Sequence, residues 1–133
     1  MDGFHLRIVT PDGLKFDGEV KSLLVRTDDG DVEFLRGHID YFAHLSVGRA
    51  RLIVGDATRY ASVNGGCVVV SGGEVTLTAI TLEFAEDIDL ERAVAARESA
   101  EKKLSGAKDS REIDLARAKL MRAMNRINVA ELI

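Results

Sequence analysis

The chain has 133 residues, of which 46% are hydrophobic and 30% are charged. This composition is typical of a folded protein, and the length suits one compact domain or a small domain with an appendage. No apolar run approaches the roughly 20 residues of a membrane-spanning helix, and no basic segment followed by an apolar one opens the sequence. Cys67 is the single cysteine and has no internal disulfide partner. We therefore expect a cytosolic protein.

The net charge of −4 is unevenly distributed. Residues 1–86 carry 13 acidic and 8 basic side chains, whereas residues 87–133 carry 9 acidic and 10 basic side chains. Because nucleic-acid binding depends on basic surface, the acidic first part argues against a nucleic-acid partner. A basic cluster near the C-terminus instead predicts an acidic partner or an anion, and its members are Arg117, Lys119, Arg122 and Arg126.

The first 85 residues have the pattern of short β-strands separated by turns. Apolar and polar residues alternate over residues 4–9 before a Pro-Asp-Gly turn at residues 11–13. Further turn signals lie at residues 28–30, 55–56, 64–66 and 71–73. Eleven of the twelve glycines precede residue 87. We predict an all-β N-terminal sandwich, residues 1–85, of about 8–10 short antiparallel strands in two sheets.

After residue 85 the apolar residues follow helical spacing. Asp87 or Asp89 can cap a first helix that ends at Gly106, and Asp109 or Ser110 can start a second. The short connection predicts that residues 86–133 form an antiparallel two-helix hairpin. The expected facing positions are Leu90, Ala93, Val94, Arg97, Ala100 and Leu104, with Ile113, Ala116, Leu120, Ala123, Met124 and Ile127. Because alanine buries little apolar area, we expect this hairpin to be weakly held.

The sequence lacks the patterns of catalytic and metal sites. It contains neither a Gly-x-Ser-x-Gly segment nor a Gly-x-x-x-x-Gly-Lys phosphate loop. His5, His38 and His44 lack the ligand spacing of a zinc site. The acidic cluster at residues 28–33 lacks the pattern of a calcium-binding loop. We therefore expect no enzymatic activity, no metal and no required cofactor.

One group of side chains has the chemistry of a phosphate site. If the two helices are antiparallel, Arg92 near the start of the first lies near Arg122 and Arg126 in the second, with Asp89 and Glu83 close by. Guanidinium groups bind two phosphate oxygens at once, and a helix N-terminus adds backbone N–H groups. The alternative is that Arg92 pairs with Asp89 or Glu131 and that the later arginines form a solvated face.

Five segments resemble, in order and in spacing, those of the ATP synthase epsilon subunits. They are residues 9–13 (Val-Thr-Pro-Asp-Gly), 35–39 (Leu-Arg-Gly-His-Ile, similar to a Leu-Pro-Gly-His loop), 63–66 (Val-Asn-Gly-Gly, similar to Val-Ser-Gly-Gly), 86–93 and 122–127. The resemblance covers nearly the whole chain. It implies a non-catalytic rotor subunit in the central stalk of a bacterial F-type ATP synthase, the complex that couples ATP synthesis to proton or sodium transport.

The resemblance also implies partners. The sandwich would bind the gamma subunit and touch the membrane c-ring, so that the chain meets the cytoplasmic side of the bacterial inner membrane only through the complex. The hairpin would fold against the sandwich or extend toward the catalytic beta subunits and resist ATP hydrolysis. The implied inhibitory contact consists of Arg117, Lys119, Arg122 and Arg126. The implied c-ring-facing loops contain Asp29, Gly30, Asp31, Arg36, Gly37 and His38.

Family members with an Ile-Asp-x-x-Arg-Ala motif bind ATP, so the resemblance implies ATP as a regulatory ligand. The matching positions are Glu83, Ile88, Asp89, Arg92, Ala93, Arg122 and Arg126. Two features depart from the family. Ser99 stands where a further arginine often helps to bind ATP, with Arg97 the nearest base, which predicts that nucleotide binding is weakened or abolished. Arg36 and Asp40 replace prolines of the Gly-His loop, which predicts an altered c-ring contact.

Two other functions are compatible with the predicted fold. A stand-alone β-sandwich module that binds a ligand or peptide, with a helical tail, would need an aromatic groove, but the chain has no Trp and only seven Phe or Tyr residues. A small hydrolase would need a catalytic motif that the sequence lacks. Stable association with a long coiled-coil gamma subunit distinguishes the rotor subunit from both.

Overall fold

The computed structural model describes residues 3–133 and confirms the predicted fold class, a β-sandwich followed by two helices. The chain forms two compact units, the first ending at Phe84 and the second spanning Ala85–Ile133. The strands are β1 (Phe4–Thr10), β2 (Gly13–Val20), β3 (Ser22–Thr27), β4 (Gly30–Phe34), β5 (Tyr41–Val54), β6 (Ala57–Ser71) and β7 (Glu74–Phe84). A 3₁₀ turn (Ala85–Asp87) precedes α1 (Leu90–Ser105) and α2 (Ser110–Ala130).

Four of the predicted turns connect consecutive strands. They join β1 to β2, β3 to β4, β5 to β6 and β6 to β7. Gly55 and Gly72 take φ angles of 60° and 58° in the last two turns, a left-handed conformation that glycine adopts without the steric penalty of a Cβ atom. The pairing of adjacent strands therefore follows from local turn chemistry.

The strands form one continuous hydrogen-bonded sheet in the order β2-β1-β7-β6-β5-β3-β4. All neighbours are antiparallel except β1 and β7, which are parallel. Seven strands replace the 8–10 expected because residues 64–66 lie inside β6 rather than in a turn. The strands β5 and β7 run beside β6 through this segment, which makes all three long.

The sheet folds into two layers at a bend that crosses β5, β6 and β7. In β6 the buried apolar positions are odd-numbered before the bend (Ala61 and Val63) and even-numbered after it (Val68 and Val70), so the alternation of buried and outward-facing residues shifts by one residue. The burial alternation of β5 and of β7 shifts by one residue at the same level of the sheet. Because successive side chains point to opposite faces, this shift exchanges the inner and outer faces of the sheet. Gly65 and Gly66, with φ angles of 70° and 123°, lie at this point.

The two helices contact each other, and the short connection at residues 106–109 makes them antiparallel neighbours. Asp89 caps α1 and Asp109 caps α2, one of the two alternatives predicted at each helix start. The buried helical residues are Ala93, Ala100, Ala116, Ala123, Ile127 and Val129. The expectation that Leu90 and Met124 belong to the facing stripes is wrong, since they are 44% and 46% exposed. Neither helix combines the length and the apolar content needed to span a bilayer.

Candidate functional site

The predicted Ile-Asp-x-x-Arg-Ala motif forms the start of α1. The Oδ1 atom of Asp89 accepts the backbone N–H of Arg92 at 3.1 Å, which satisfies one of the unpaired donors at the helix start. Ala93 is fully buried and Ile88 is half-buried, whereas the Arg92 side chain is exposed. Within the motif, Asp89 and Ala93 therefore have local structural roles, and Arg92 supplies the exposed cation.

The two arginines predicted to complete the ATP site lie on one face of α2. Arg122 and Arg126 are one helical turn apart, and both are half-buried. The 3₁₀ turn before α1 contacts α2, and the helices are antiparallel, so Arg92 is at the same end of the hairpin as these arginines. Glu83 lies in β7 opposite Ser62 and belongs to the other unit. The predicted set is thus divided, with six of its residues in the hairpin.

Ser99, the residue predicted to weaken the nucleotide site, is exposed in α1. The nearest base, Arg97, forms an ion pair with Glu101 one turn later, with 3.4 Å between Nε and Oε1. This pair stabilises the helix surface by a few tenths of a kcal/mol. Arg97 would have to give up that carboxylate to bind a phosphate, which strengthens the prediction of a weaker nucleotide site.

The basic cluster predicted as an inhibitory contact lies along α2. Arg117 and Lys119 are exposed. The close contact with the Lys103 ammonium group of α1 is the main cause that lowers the pKa of Lys119, and the charge of Arg122 lowers it further. Lys103 is missing from the residues predicted by sequence, because only the pairing of the two helices brings positions 103 and 119 together.

The predicted c-ring-facing residues fall at the two ends of β4. Asp29 lies in the turn that precedes β4, whereas Gly30 and Asp31 are in the strand itself. Arg36, Gly37 and His38 follow β4 in a loop that spans residues 35–40. At about 3.3 Å per residue, a five-residue strand separates the two groups by roughly 15 Å. The structure therefore does not bring them into one cluster.

The loop at residues 35–40 is held from both sides. The Oδ1 atom of Asp40 accepts the backbone N–H of Gly72 at 3.1 Å, which ties this loop to the β6–β7 turn. The His38 ring lies 4.8 Å from the Phe34 ring and 5.7 Å from the Tyr41 ring, measured between centroids. A carboxylate contact and ring packing thus restrain the loop that contains Arg36 and Asp40.

Asp31 is held by two arginines on the outer face of the sheet. Its Oδ1 accepts a hydrogen bond from Arg26 Nε at 2.7 Å, and its Oδ2 lies 3.8 Å from an Arg49 guanidinium nitrogen. The hydrogen bond from Arg26 is the main cause that lowers the pKa of Asp31 below its ordinary value of 3.8. The Asp31 carboxylate is therefore already paired with arginines of the neighbouring strands β3 and β5.

We predict a pH-dependent effect of Asp31→Asn on stability. Because the folded-state pKa is lowered, the ion pair stabilises the fold where the carboxylate is charged in both states, and the contribution is lost as the pH falls below about 3.8. For a partly exposed pair the substitution should cost about 0.2–1 kcal/mol at pH 7. Urea unfolding at pH 7 and pH 2.5 measures the effect.

The matched control is Asp56→Asn, since Asp56 lies in the β5–β6 turn and forms no ion pair within residues 3–133. The difference between the two variants should be present at pH 7 and smaller at pH 2.5, because the contribution is lost as the pH falls from about 3.8 through the lowered folded-state pKa of Asp31. A difference that persists unchanged at the lower pH contradicts the assignment of the stabilisation to the charged carboxylate.

An apolar surface that the sequence does not predict lies on the outer face of β5, β6 and β7. Phe42 is paired with Val69 across β5 and β6, and Ile80 lies on the same outer face of β7, beside Gly65. Phe42 and Ile80 are 57% and 61% exposed. Phe42 is level with Val69 and Thr76 in the strand register, four residues from Ile80 along β7. Because exposed apolar side chains on one face are typical of protein interaction surfaces, this face is a candidate docking surface.

Both units match a known family along nearly their entire lengths. Residues 3–85 match the beta-sandwich domain of the ATP synthase delta/epsilon chain, and residues 86–131 match its long alpha-helix domain. The chain belongs to the ATP synthase delta/epsilon chain family.

Its relatives include proteins named ATP synthase epsilon chain. The chain is 42% identical to that of Bacillus velezensis over 130 residues and 42% identical to that of Halalkalibacterium halodurans over 132 residues, with 98% of both chains covered in each case. Its fold is similar to a chain of the Euglena gracilis mitochondrial ATP synthase, with a TM-score of 0.84, 22% identity, and coverage of 100% of this chain and 83% of that one. A Tetrahymena thermophila chain from a central stalk and c-ring structure gives a TM-score of 0.63 and 13% identity, with 95% of both chains covered.

Proposed function

We propose that the chain is the epsilon-type subunit of the central stalk in a bacterial F-type ATP synthase. The observation that carries this proposal is the 42% identity to epsilon chains over 98% of both lengths, with both domains in the family order. The subunit is non-catalytic, and ATP is made or hydrolysed on the beta subunits. This function agrees with a sequence that contains none of the catalytic motifs considered above.

The sandwich is the part that connects the other rotor subunits. It binds the gamma subunit and touches the c-ring, so the chain is a peripheral component on the cytoplasmic side of the inner membrane. The outer face with Phe42, Val69 and Ile80 supports a protein contact, because Phe42 and Ile80 remain exposed in the chain alone and Val69 is half-buried. The two predicted c-ring loops lie at opposite ends of β4, roughly 15 Å apart, a distance that one protein interface can span.

The hairpin is the regulatory part. The buried residues that the two helices contribute include four alanines, and alanine removes little apolar area from water, so the helix pair is weakly stabilised. ATP bound by Arg92, Arg122 and Arg126 would favour the folded hairpin, whereas an acidic surface on the beta subunits would favour the extended one through Arg117, Lys119, Arg122 and Arg126. Since each ligand shifts the equilibrium only by its differential affinity for the two states, the shared arginines make ATP and the inhibitory contact compete.

Association with the gamma subunit tests the proposal. We expect the full chain to form a complex with a gamma subunit from the same source that persists through gel filtration. The expectation rests on the sandwich alone, so substitutions at Arg122 and Arg126 should leave it unchanged. A chain that elutes alone in the presence of excess gamma contradicts the proposal.

A further inference from the structure

A groove of about 370 Å³ lies on the hairpin, where the end of α1 meets the beginning of α2. This volume is near the lower limit of small-molecule sites, which range from about 300 to 1,000 Å³. The groove is separate from Arg92 and Arg126, and none of its residues except Lys119 belongs to a site predicted from the sequence. Its lining consists of Lys103, Gly106, Glu112, Leu115, Ala116 and Lys119.

The rim of the groove carries two cations without a counterion. Neither Lys103 nor Lys119 forms an ion pair with a carboxylate of the part of the chain that the structure describes. The contact between them lowers the pKa of Lys119, as expected for two like charges held close together. An anion placed between the two ammonium groups would replace this repulsion with two attractive contacts.

The one acidic residue in the lining has a different role. The Oε2 atom of Glu112 accepts the backbone N–H of Lys108 at 2.9 Å, and its own N–H donates to Asp109 at 2.8 Å. Asp109 thus caps α2, and the Glu112 side chain reaches back to the residue before the cap. Glu112 keeps its negative charge, but among the described residues it forms no ion pair with Lys103 or Lys119, so the lining carries two cations and one anion.

The rest of the lining is apolar. Leu115, whose side chain is 54% exposed, and the buried Ala116 lie beside Gly106, which has no side chain. An alkyl chain in the groove would remove the exposed apolar surface of Leu115 from water. The groove thus combines a positively charged rim with an apolar lining.

We propose that this groove binds an aliphatic carboxylate, with the carboxylate between Lys103 and Lys119 and the alkyl chain against Leu115 and Ala116. The ligand class follows from charge complementarity and from the apolar lining. A simple inorganic anion would leave Leu115 exposed, and an uncharged alkane or alcohol would leave the two cations without a partner.

The test is a titration of the ¹⁵N-labelled full chain with sodium octanoate, followed by NMR. We expect saturable shifts of the amide signals of Gly106, Leu115 and Ala116. Octan-1-ol lacks the charge and sodium acetate lacks the alkyl chain, so each should bind at least tenfold more weakly. Equal binding of octanol and octanoate, or octanoate shifts that do not saturate or that lie outside the groove, would overturn the proposal.

Two variants with equal charge changes separate this site from general electrostatic attraction. Lys103→Gln/Lys119→Gln should weaken octanoate binding at least tenfold, whereas Lys102→Gln/Lys108→Gln, at lysines outside the groove lining, should change it less than twofold. Equal weakening in both variants would overturn the proposal. Spectra that match the wild type away from the substituted positions verify that each variant is folded.

Discussion

Replacement of Gly66 by alanine should destabilise the sandwich by about 3–5 kcal/mol, a loss large enough to unfold many domains of this size. An alanine Cβ at this position would lie 1.9 Å from the carbonyl oxygen of Thr78, which is a backbone atom of the neighbouring strand β7. The φ angle of 123° adds a backbone penalty for any L-residue with a side chain. The bend that folds one sheet into two layers therefore depends on this glycine.

Urea unfolding followed by circular dichroism measures the effect, and Gly72→Ala is the matched control. Gly72 also has a positive φ, 58°, but an alanine Cβ there would meet no atom within 4 Å. The control should lose only about 1–2 kcal/mol, the cost of the left-handed conformation. An equal loss of stability in Gly66→Ala and Gly72→Ala would contradict the claim that the close approach of β6 and β7 requires glycine at position 66.

Loss of the two arginines of α2 should abolish ATP binding. We expect the full chain to bind ATP saturably in a calorimetric titration and the Arg122→Ala/Arg126→Ala variant to bind at least tenfold more weakly. Each guanidinium would contribute charge-assisted hydrogen bonds to phosphate oxygens, worth about 1.5–3 kcal/mol apiece. Since both side chains are half-buried on one face of α2, a single phosphate group can contact both.

The control variant is Lys108→Ala/Arg111→Ala, which removes the same charge near the opposite end of the hairpin and should retain ATP binding. An equal loss in both variants would point to nonspecific attraction of the nucleotide. Absence of binding in the wild type at millimolar ATP would contradict the nucleotide site. The arginines would then act only in protein contacts, and Ser99, with Arg97 engaged by Glu101, would explain the loss.

Much of the fold follows from local sequence features. The Pro-Asp-Gly turn at residues 11–13 and Gly55 mark hairpins because their backbone preferences operate within a few residues. Asp89 and Asp109 mark helix starts for the same reason, since a capping side chain bonds to an N–H only three residues away. Such signals depend on no distant contact.

The features that the sequence does not predict depend on contacts between distant residues. The segment Asn64-Gly65-Gly66 has the composition of a turn, yet β5 and β7 pair with β6 on both sides and keep it in the sheet. Met124 has helical spacing for the facing stripe, but the small alanines bring the helices together along a narrower line and leave it exposed. The Lys103–Lys119 pair likewise depends on how α1 and α2 align.

The most direct test of the central claim is the affinity of the purified full chain for its gamma subunit, measured by biolayer interferometry. A stable complex with a dissociation constant in the nanomolar range, retained by Arg122→Ala/Arg126→Ala and weakened at least tenfold by Phe42→Ser/Ile80→Ser, is the predicted result. Both serine substitutions are at exposed side chains, so the variant should fold like the wild type. No measurable binding of the folded wild-type chain to gamma at micromolar concentration would contradict its assignment as a central-stalk subunit.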